Sequence, residues 1–466
     1  MNPLTQKTRK SFLTLDFWSE FFMGRLYPLI VALLVLFGNI SGLDYYLNFL
    51  VTGLFVFSMI ISDSARPAII TVCTYVYQVS LKHGTNYPTY SDFFYTGWRL
   101  PVSIIIICLI AFSFAFFIVK NKLYKKLSFK KTPLLIPLLL FSASLLLGGA
   151  FSGKWVGANL LFSFSHIMAY LFLFLFFYSG FSDEESRQEL TDYFVYVALL
   201  IGMVLVGEVA HLFLTSDNIF IDGSINKVGV ALGWGIWNLV GVSLSVLIPV
   251  LFLGAMKSKK YFLVYFFAAS AVYITAVLTM SRNALVFSTL AYGASLLIAC
   301  FFGENKKRFR ILTACAASAV IIFAVLFFDK ISSILLDYFE RGFSDNGRYS
   351  LWRQAFDNFL NSPIFGNGFY GFDVETAVFG PLPKMAHNTV LQLLSSSGIV
   401  GLIAYLYYRI STVKLFVRKP DITKTMLALS ALVLIFGGLL DNFIFNVYPT
   451  FFYTVMLAIV ARDEKT

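Results

Sequence analysis

Apolar runs long enough to cross a bilayer recur along this chain from Tyr27 to Ala461. A spanning helix needs about 20 apolar residues. The runs are continuous rather than alternating, which argues against a β-barrel. Composition agrees: 58% of the residues are hydrophobic and 13% are charged, about half the charged share of a water-soluble domain. Mean hydropathy is +0.77. The chain therefore reads as an all-α polytopic membrane protein with about 12–14 transmembrane helices. The fourteen segments expected to span are 27–43, 45–62, 67–82, 102–119, 133–150, 159–181, 193–214, 236–256, 261–280, 284–303, 311–328, 388–409, 425–440 and 446–461. About 25 mixed residues precede the first run, and that run is long enough to span, so a cleavable signal peptide is not expected. Cys73, Cys108, Cys300 and Cys315 all lie in apolar runs without a C-x-x-C pattern. They are expected to be packed or lipid-facing thiols rather than disulfides or metal ligands.

The net charge of +11 invites a nucleic-acid partner, but its distribution argues for none. Lysine and arginine in short loops mark the cytoplasmic side. With the N-terminus inside, the loops KNKLYKKLSFKK (120–131), KSKK (257–260) and KKRFR (306–310) all fall inside, and both termini are cytoplasmic. The positive charge is then mainly topological, aided by anionic lipid of the bilayer. The same parity places residues 329–386 outside. The expected organisation is a transmembrane bundle (1–328), one large external loop (329–386) and C-terminal transmembrane helices (387–466). Loops of this length are often functional. Within it, GRYSLWRQAFDNFLNSP (347–363) has an amphipathic helical pattern. Leu351, Trp352, Ala355, Phe356, Phe359 and Leu360 share one face, and Pro363 ends the helix. Such a helix belongs on the outer membrane surface or against the spans. GNGFYG (366–371) reads as a tight, flexible turn.

Ten lysines and arginines fall in the loops expected outside, against the charge bias, and four of these arginines are candidates for binding an anion. Arg282 sits in MSRNA (280–284), a short turn between two spans, where a charge is costly unless paired, solvated or snorkelling. It reaches lipid phosphates or it holds an anionic substrate. Arg341, Arg348 and Arg353 come from the long loop. Arg348 opens the amphipathic helix, whose N-terminus already favours anions, and guanidinium adds a planar fork suited to phosphate oxygens. Arg353 follows five residues later, about 140° around the helix, so the two need not share a face. Next comes AHNTVLQLL (386–394). Asn388 can cap the helix that begins there. His387 is then either a plain interfacial histidine or a general base kept neutral by the helix dipole and nearby arginines. Glu208 and His211 share a face of the seventh segment, as a proton-handling pair or as buried hydrogen-bonding groups. His166, with Ser163 and Ser165, suits interhelical hydrogen bonding. No Walker motif, H-E-x-x-H or external acidic cluster at metal spacing occurs, so neither metal nor other cofactor is expected.

GRYSLWRQAFDNFLNSPIFGNGFYGF (347–372) followed by AHNTVLQLLSSSGIVGLIAYL (386–406) resembles the C-terminal hallmark of the O-antigen ligase/polymerase superfamily. MSRNA (280–284) resembles its arginine turn, LGWGIWNLVG (232–241) a further segment, and LDNFIFNVYPTFFY (440–453) its closing segment. The similarity runs over about residues 225–460. The resemblance implies a metal-independent glycosyltransferase of the C-type architecture, acting on the outer face of the bacterial cytoplasmic (inner) membrane. Its donor is an undecaprenyl-diphosphate-linked oligosaccharide, with room for a chain-length regulator as a partner. A polymerase extends lipid-linked repeat units of O-antigen or capsule type; a ligase moves the glycan to lipid A-core. The polymerase reading is preferred because it requires no lipopolysaccharide in the host. The resemblance gives His387 the role of base, and Arg282 and Arg348 the diphosphate. Arg353, Arg341, Asn388 and Asn238 are the accompanying substrate-binding candidates. A lipid-linked glycan flippase, with Glu208 and His211 coupling protons, is the alternative from another class.

Overall fold

The computed structural model describes residues 14–74, 77, 99–217, 219–221, 224–226, 229–232, 234–326, 328, 332, 347–371, 375–377, 380–382 and 385–464. Arg341 lies outside the described residues. The chain is an all-α polytopic membrane protein whose strands, where described, form three two-stranded antiparallel hairpins. Seven described helices are long and apolar enough to cross a membrane; Leu15–Met23 and Leu26–Ser41, bent by 68°, make an eighth if taken as one span. Leu135–Ala150, Phe262–Leu278 and Ile422–Gly437 are shorter apolar helices. A helix lies at each of the fourteen apolar segments, in the third of them over Ala68–Thr74. All four cysteines are free thiols: Cys73 is buried, Cys300 half-buried, and Cys108 and Cys315 exposed.

Two compact units make up the fold. The first comprises residues 1–136, 168–240 and 450–466. Here the helix Arg187–Thr215, opened by a Ser186–Glu189 capping box, packs against Leu26–Ser41, and Asp44–Ile61 packs against Arg99–Lys120. Glu208 is buried. It accepts hydrogen bonds from Asn39 Nδ2 and, at 2.8 Å, from Trp234 Nε1, so its hydrogen-bonding role ties two helices and a hairpin together.

The second unit comprises residues 137–167 and 241–449. Phe262–Leu278, Arg282–Phe301 and Ile422–Gly437 pack in succession, and Thr389–Val417 packs on the amphipathic helix Arg348–Asn361. That helix starts at Gly347 (φ 80°) and ends at Ser362, just before Pro363. Its inward face is narrower than the sequence pattern suggests. Ala355 is buried against Ala386 and Leu391; Leu351, Trp352 and Phe359 are half-buried; Phe356 and Leu360 are exposed. Small Ala355 lets the two helices approach closely, and larger side chains flank the contact. His166 sits between helices as its neighbouring serines suggest. Its Nδ1 lies 2.8 Å from the Phe162 carbonyl and its Nε2 3.0 Å from that of Phe445, while Ser163 Oγ donates to the Leu145 carbonyl at 2.9 Å.

The helix Thr389–Val417 is interrupted at Gly398, whose φ of 63° and ψ of −161° lie in a region essentially restricted to glycine. The GNGFYG segment is wedged against this break. The N–H groups of Asn367 and Gly368 donate to the carbonyls of Ser395 and Ser396 at 2.8 and 3.0 Å; those of Ile399 and Val400 donate to Pro363 and Ile364 at 2.9 and 3.3 Å. The glycines therefore serve close backbone approach, not flexibility. A Cβ at Gly398 would lie 2.3 Å from the Ile364 carbonyl oxygen, and one at Gly366 only 2.4 Å from the Ser396 carbonyl carbon. Beyond the wedge, Tyr370 N donates to Asn159 Oδ1 at 2.9 Å, and Phe369 packs on Phe162 and Phe445.

Candidate active site

The sequence around the start of Thr389–Val417 divides its duties between two neighbouring residues. Asn388 is the N-cap: its Oδ1 accepts from the N–H groups of Val390 and Leu391 at 3.0 and 3.1 Å, and its Nδ2 donates to the Leu439 carbonyl at 2.9 Å. These bonds satisfy N–H groups that the first helical turn leaves open. His387 is thereby released from capping. It takes a left-handed φ of 50°, uncommon for a residue with a Cβ, and this turns its imidazole toward the segment after the next helix.

There it meets Asp441. His387 Nδ1 lies 2.8 Å from Asp441 Oδ1. The histidine side chain keeps 38% of its surface exposed, whereas the aspartate keeps 10%. One ring edge is thus accessible while its carboxylate partner is shielded from water. Burial pushes the Asp441 carboxyl up. The His387 hydrogen bond and charge, the Asn442 N–H and the Arg348 guanidinium together outweigh burial and leave it below the ordinary value. Asp441 is therefore a carboxylate at neutral pH. A carboxylate on Nδ1 selects the tautomer with an unprotonated Nε2, and it balances the charge the ring acquires on taking a proton. From sequence, His387 is expected beside a helix start and arginines; the geometry adds an anionic partner.

Two of the candidate arginines open helices of the same unit. Arg348 is the first residue of its helix and half-buried, and its charge acts on Asp441. Arg282 is the first residue of Arg282–Phe301, behind the Ser281 N-cap, and also half-buried. Its neighbour Asn283 donates to the Gly437 carbonyl at 3.2 Å. The next carbonyl, Gly438, accepts from Thr389 N at 2.9 Å. The turn 437–442 thus touches the arginine turn, the start of the histidine's helix and, through Asp441, the histidine itself. Arg353 is exposed on the same helix as Arg348. Asn238 is half-buried near the start of Trp237–Lys257, in the first unit.

Asp441, Asn442 and Gln392 are the polar residues of this site that the sequence reading passed over. Asp441 carried a signal: an acid at the end of an apolar segment, within LDNFIF (440–445). Nothing in the spacing paired it with a histidine 54 residues away.

Residues 263–406 match the protein family described as O-Antigen ligase. The matched region contains Arg282, Arg348, Arg353, His387 and Asn388, and stops short of Asp441. No curated protein matches the chain.

Proposed function

We propose that this chain, whose residues 263–406 match the O-Antigen ligase family, polymerises polysaccharide repeat units by inverting, metal-independent transfer from an undecaprenyl-diphosphate-linked donor. The reaction takes place on the outer face of the cytoplasmic membrane. The observation that carries this reading is the His387–Asp441 pair at 2.8 Å with the Arg348 charge beside it. The donor bond joins an anomeric carbon to a diphosphate. As it breaks, negative charge grows on the diphosphate oxygens, where Arg348 and Arg282 neutralise it; fixed charge aimed at such a site is among the largest catalytic contributions. His387 Nε2 takes the proton from the acceptor hydroxyl as that oxygen attacks the face opposite the departing diphosphate. Asp441 holds the ring and stabilises the imidazolium. The carbon–oxygen bond to the diphosphate supplies the driving force, so nucleotide is not required.

A lipid-linked glycan transporter uses broken helices whose free ends face a ligand at mid-membrane. The break at Gly398 is of another kind, since the backbone groups it frees are bonded to residues 363–368. This favours transfer over transport.

The test is reconstitution with a synthetic undecaprenyl-diphosphate oligosaccharide, without metal or nucleotide. Longer glycans are expected from wild type, and about 10²- to 10⁴-fold slower extension from His387→Ala. Equal extension by His387→Ala removes the histidine from the reaction. Extension by neither until a lipid A-core acceptor is added makes the protein a ligase.

A further inference from the structure

We propose that Gln392 is a positioning residue that sets how His387 meets Asp441; what the pair does rests on the glycan-transfer reading above. Gln392 lies in the first turn of Thr389–Val417 and is fully buried. Its Oε1 accepts the Ala386 N–H at 2.8 Å and Asn442 Nδ2 at 3.1 Å. Ala386 immediately precedes the histidine, and Asn442 immediately follows the aspartate. One carbonyl oxygen therefore joins the two stretches of chain that carry the base and its carboxylate, 54 residues apart in sequence.

Both stretches need such a tie. His387 holds a left-handed φ of 50°, which persists only where the surroundings enforce it. Asn388 fixes the exit from that turn through its cap; the bond from Ala386 to Gln392 fixes the entry. On the other side, Asp441 Oδ1 accepts from Asn442 N at 2.8 Å as well as from the imidazole. The main chain of Asn442 shares the carboxylate, and its side chain anchors on Gln392. The amide orientation follows from the donors: turning it over would set an NH₂ group against the Ala386 N–H. The Nε2 atom is buried with no hydrogen-bond partner among the described residues, so the oxygen alone accounts for the bonds that hold this side chain.

Two substitutions separate positioning from simple core packing. Gln392→Met keeps the length and removes the acceptor; Gln392→Glu keeps an oxygen in its place. In the reconstituted transfer assay, Gln392→Met is expected to lower kcat about 10- to 100-fold through misalignment of the base. The donor KM should stay within about two-fold, because the arginines still hold the diphosphate. Gln392→Glu should recover most of the loss. Modification of His387 by diethylpyrocarbonate, followed by mass spectrometry across pH, reads the ring without turnover; its pH midpoint should move in Gln392→Met and return in Gln392→Glu. The proposal is overturned if Gln392→Met retains wild-type kcat and labelling, or if kcat, donor binding and thermal midpoint fall together with no recovery in Gln392→Glu. Absence of transfer by wild type overturns the glycan-transfer reading instead, and the labelling profiles still decide the role of Gln392.

Discussion

The His387 imidazole and its flanks are held by three neighbours with distinct tasks. Asn388 caps the helix, Asp441 holds Nδ1, and Gln392 ties the flanks of both. The acid–base consequence can be worked out for Asp441. Its folded pKa lies below the ordinary 3.8. A carboxyl so depressed contributes stability that is fully present above its unfolded value and is lost as pH falls through the folded one. The thermal midpoint of the wild type is thus expected to fall as pH drops below about 3.8, and Asp441→Asn should lack that part of the fall. At neutral pH the same substitution should lower kcat by about 10²-fold or more, because it frees the wrong tautomer. Thermal unfolding of both proteins from pH 7 downward, with transfer rates at neutral pH, checks this; identical acid profiles would refute the pairing.

At the scale of elements, the notable feature is the wedge of residues 363–368 in the break of Thr389–Val417. A helix interrupted inside a bilayer must find other partners for its backbone groups, and here a neighbouring segment supplies them one for one. The wedge also ties the end of the Arg348 helix to the middle of the helix that His387 precedes, so the two helices share a common base. Gly398 is the residue this depends on. Gly398→Ala places a Cβ 2.3 Å from a carbonyl oxygen and adds backbone strain of about 1–3 kcal/mol. The expected result is a lower thermal midpoint and a reduced yield of monodisperse protein in detergent. Unchanged melting and yield would mean that the break relaxes into a continuous helix.

For the whole molecule, the basic loops that set the expected orientation also have local work. Lys120 Nζ donates to the carbonyls of Ile60, Ile61 and Ser62 at 2.9–3.2 Å and pairs with Asp63 at 3.0 Å, closing the end of the helix Asp44–Ile61 where a cation suits the dipole. With that loop inside, the helix Arg348–Asn361 is expected outside. A cysteine in place of exposed Asp357, in a chain whose four native cysteines are serine, should react with a membrane-impermeant maleimide added to intact cells. Labelling only after the membrane is opened would reverse the orientation and move the proposed reaction to the cytoplasmic face.

Helical segments, the expected charge parity and the candidacy of His387, Arg348 and Arg282 follow from the sequence alone. The reason is that each rests on local rules: apolar length against bilayer thickness, lysine and arginine in short loops, a histidine beside a helix start. The amphipathic helix was legible for the same reason, although exposure of Phe356 and Leu360 depends on what packs beside it. Asp441 and Gln392 were not legible as partners of the histidine. Their roles come from hydrogen bonds between residues that no helical or strand period relates. The glycines of 366–371 carried a local meaning of flexibility and acquired the opposite one, because close backbone approach is a property of two segments. Only the tertiary structure decided which carboxylate stands behind His387 and what holds it there, since both depend on the chain folding residues 437–442 back onto the turn that precedes Thr389.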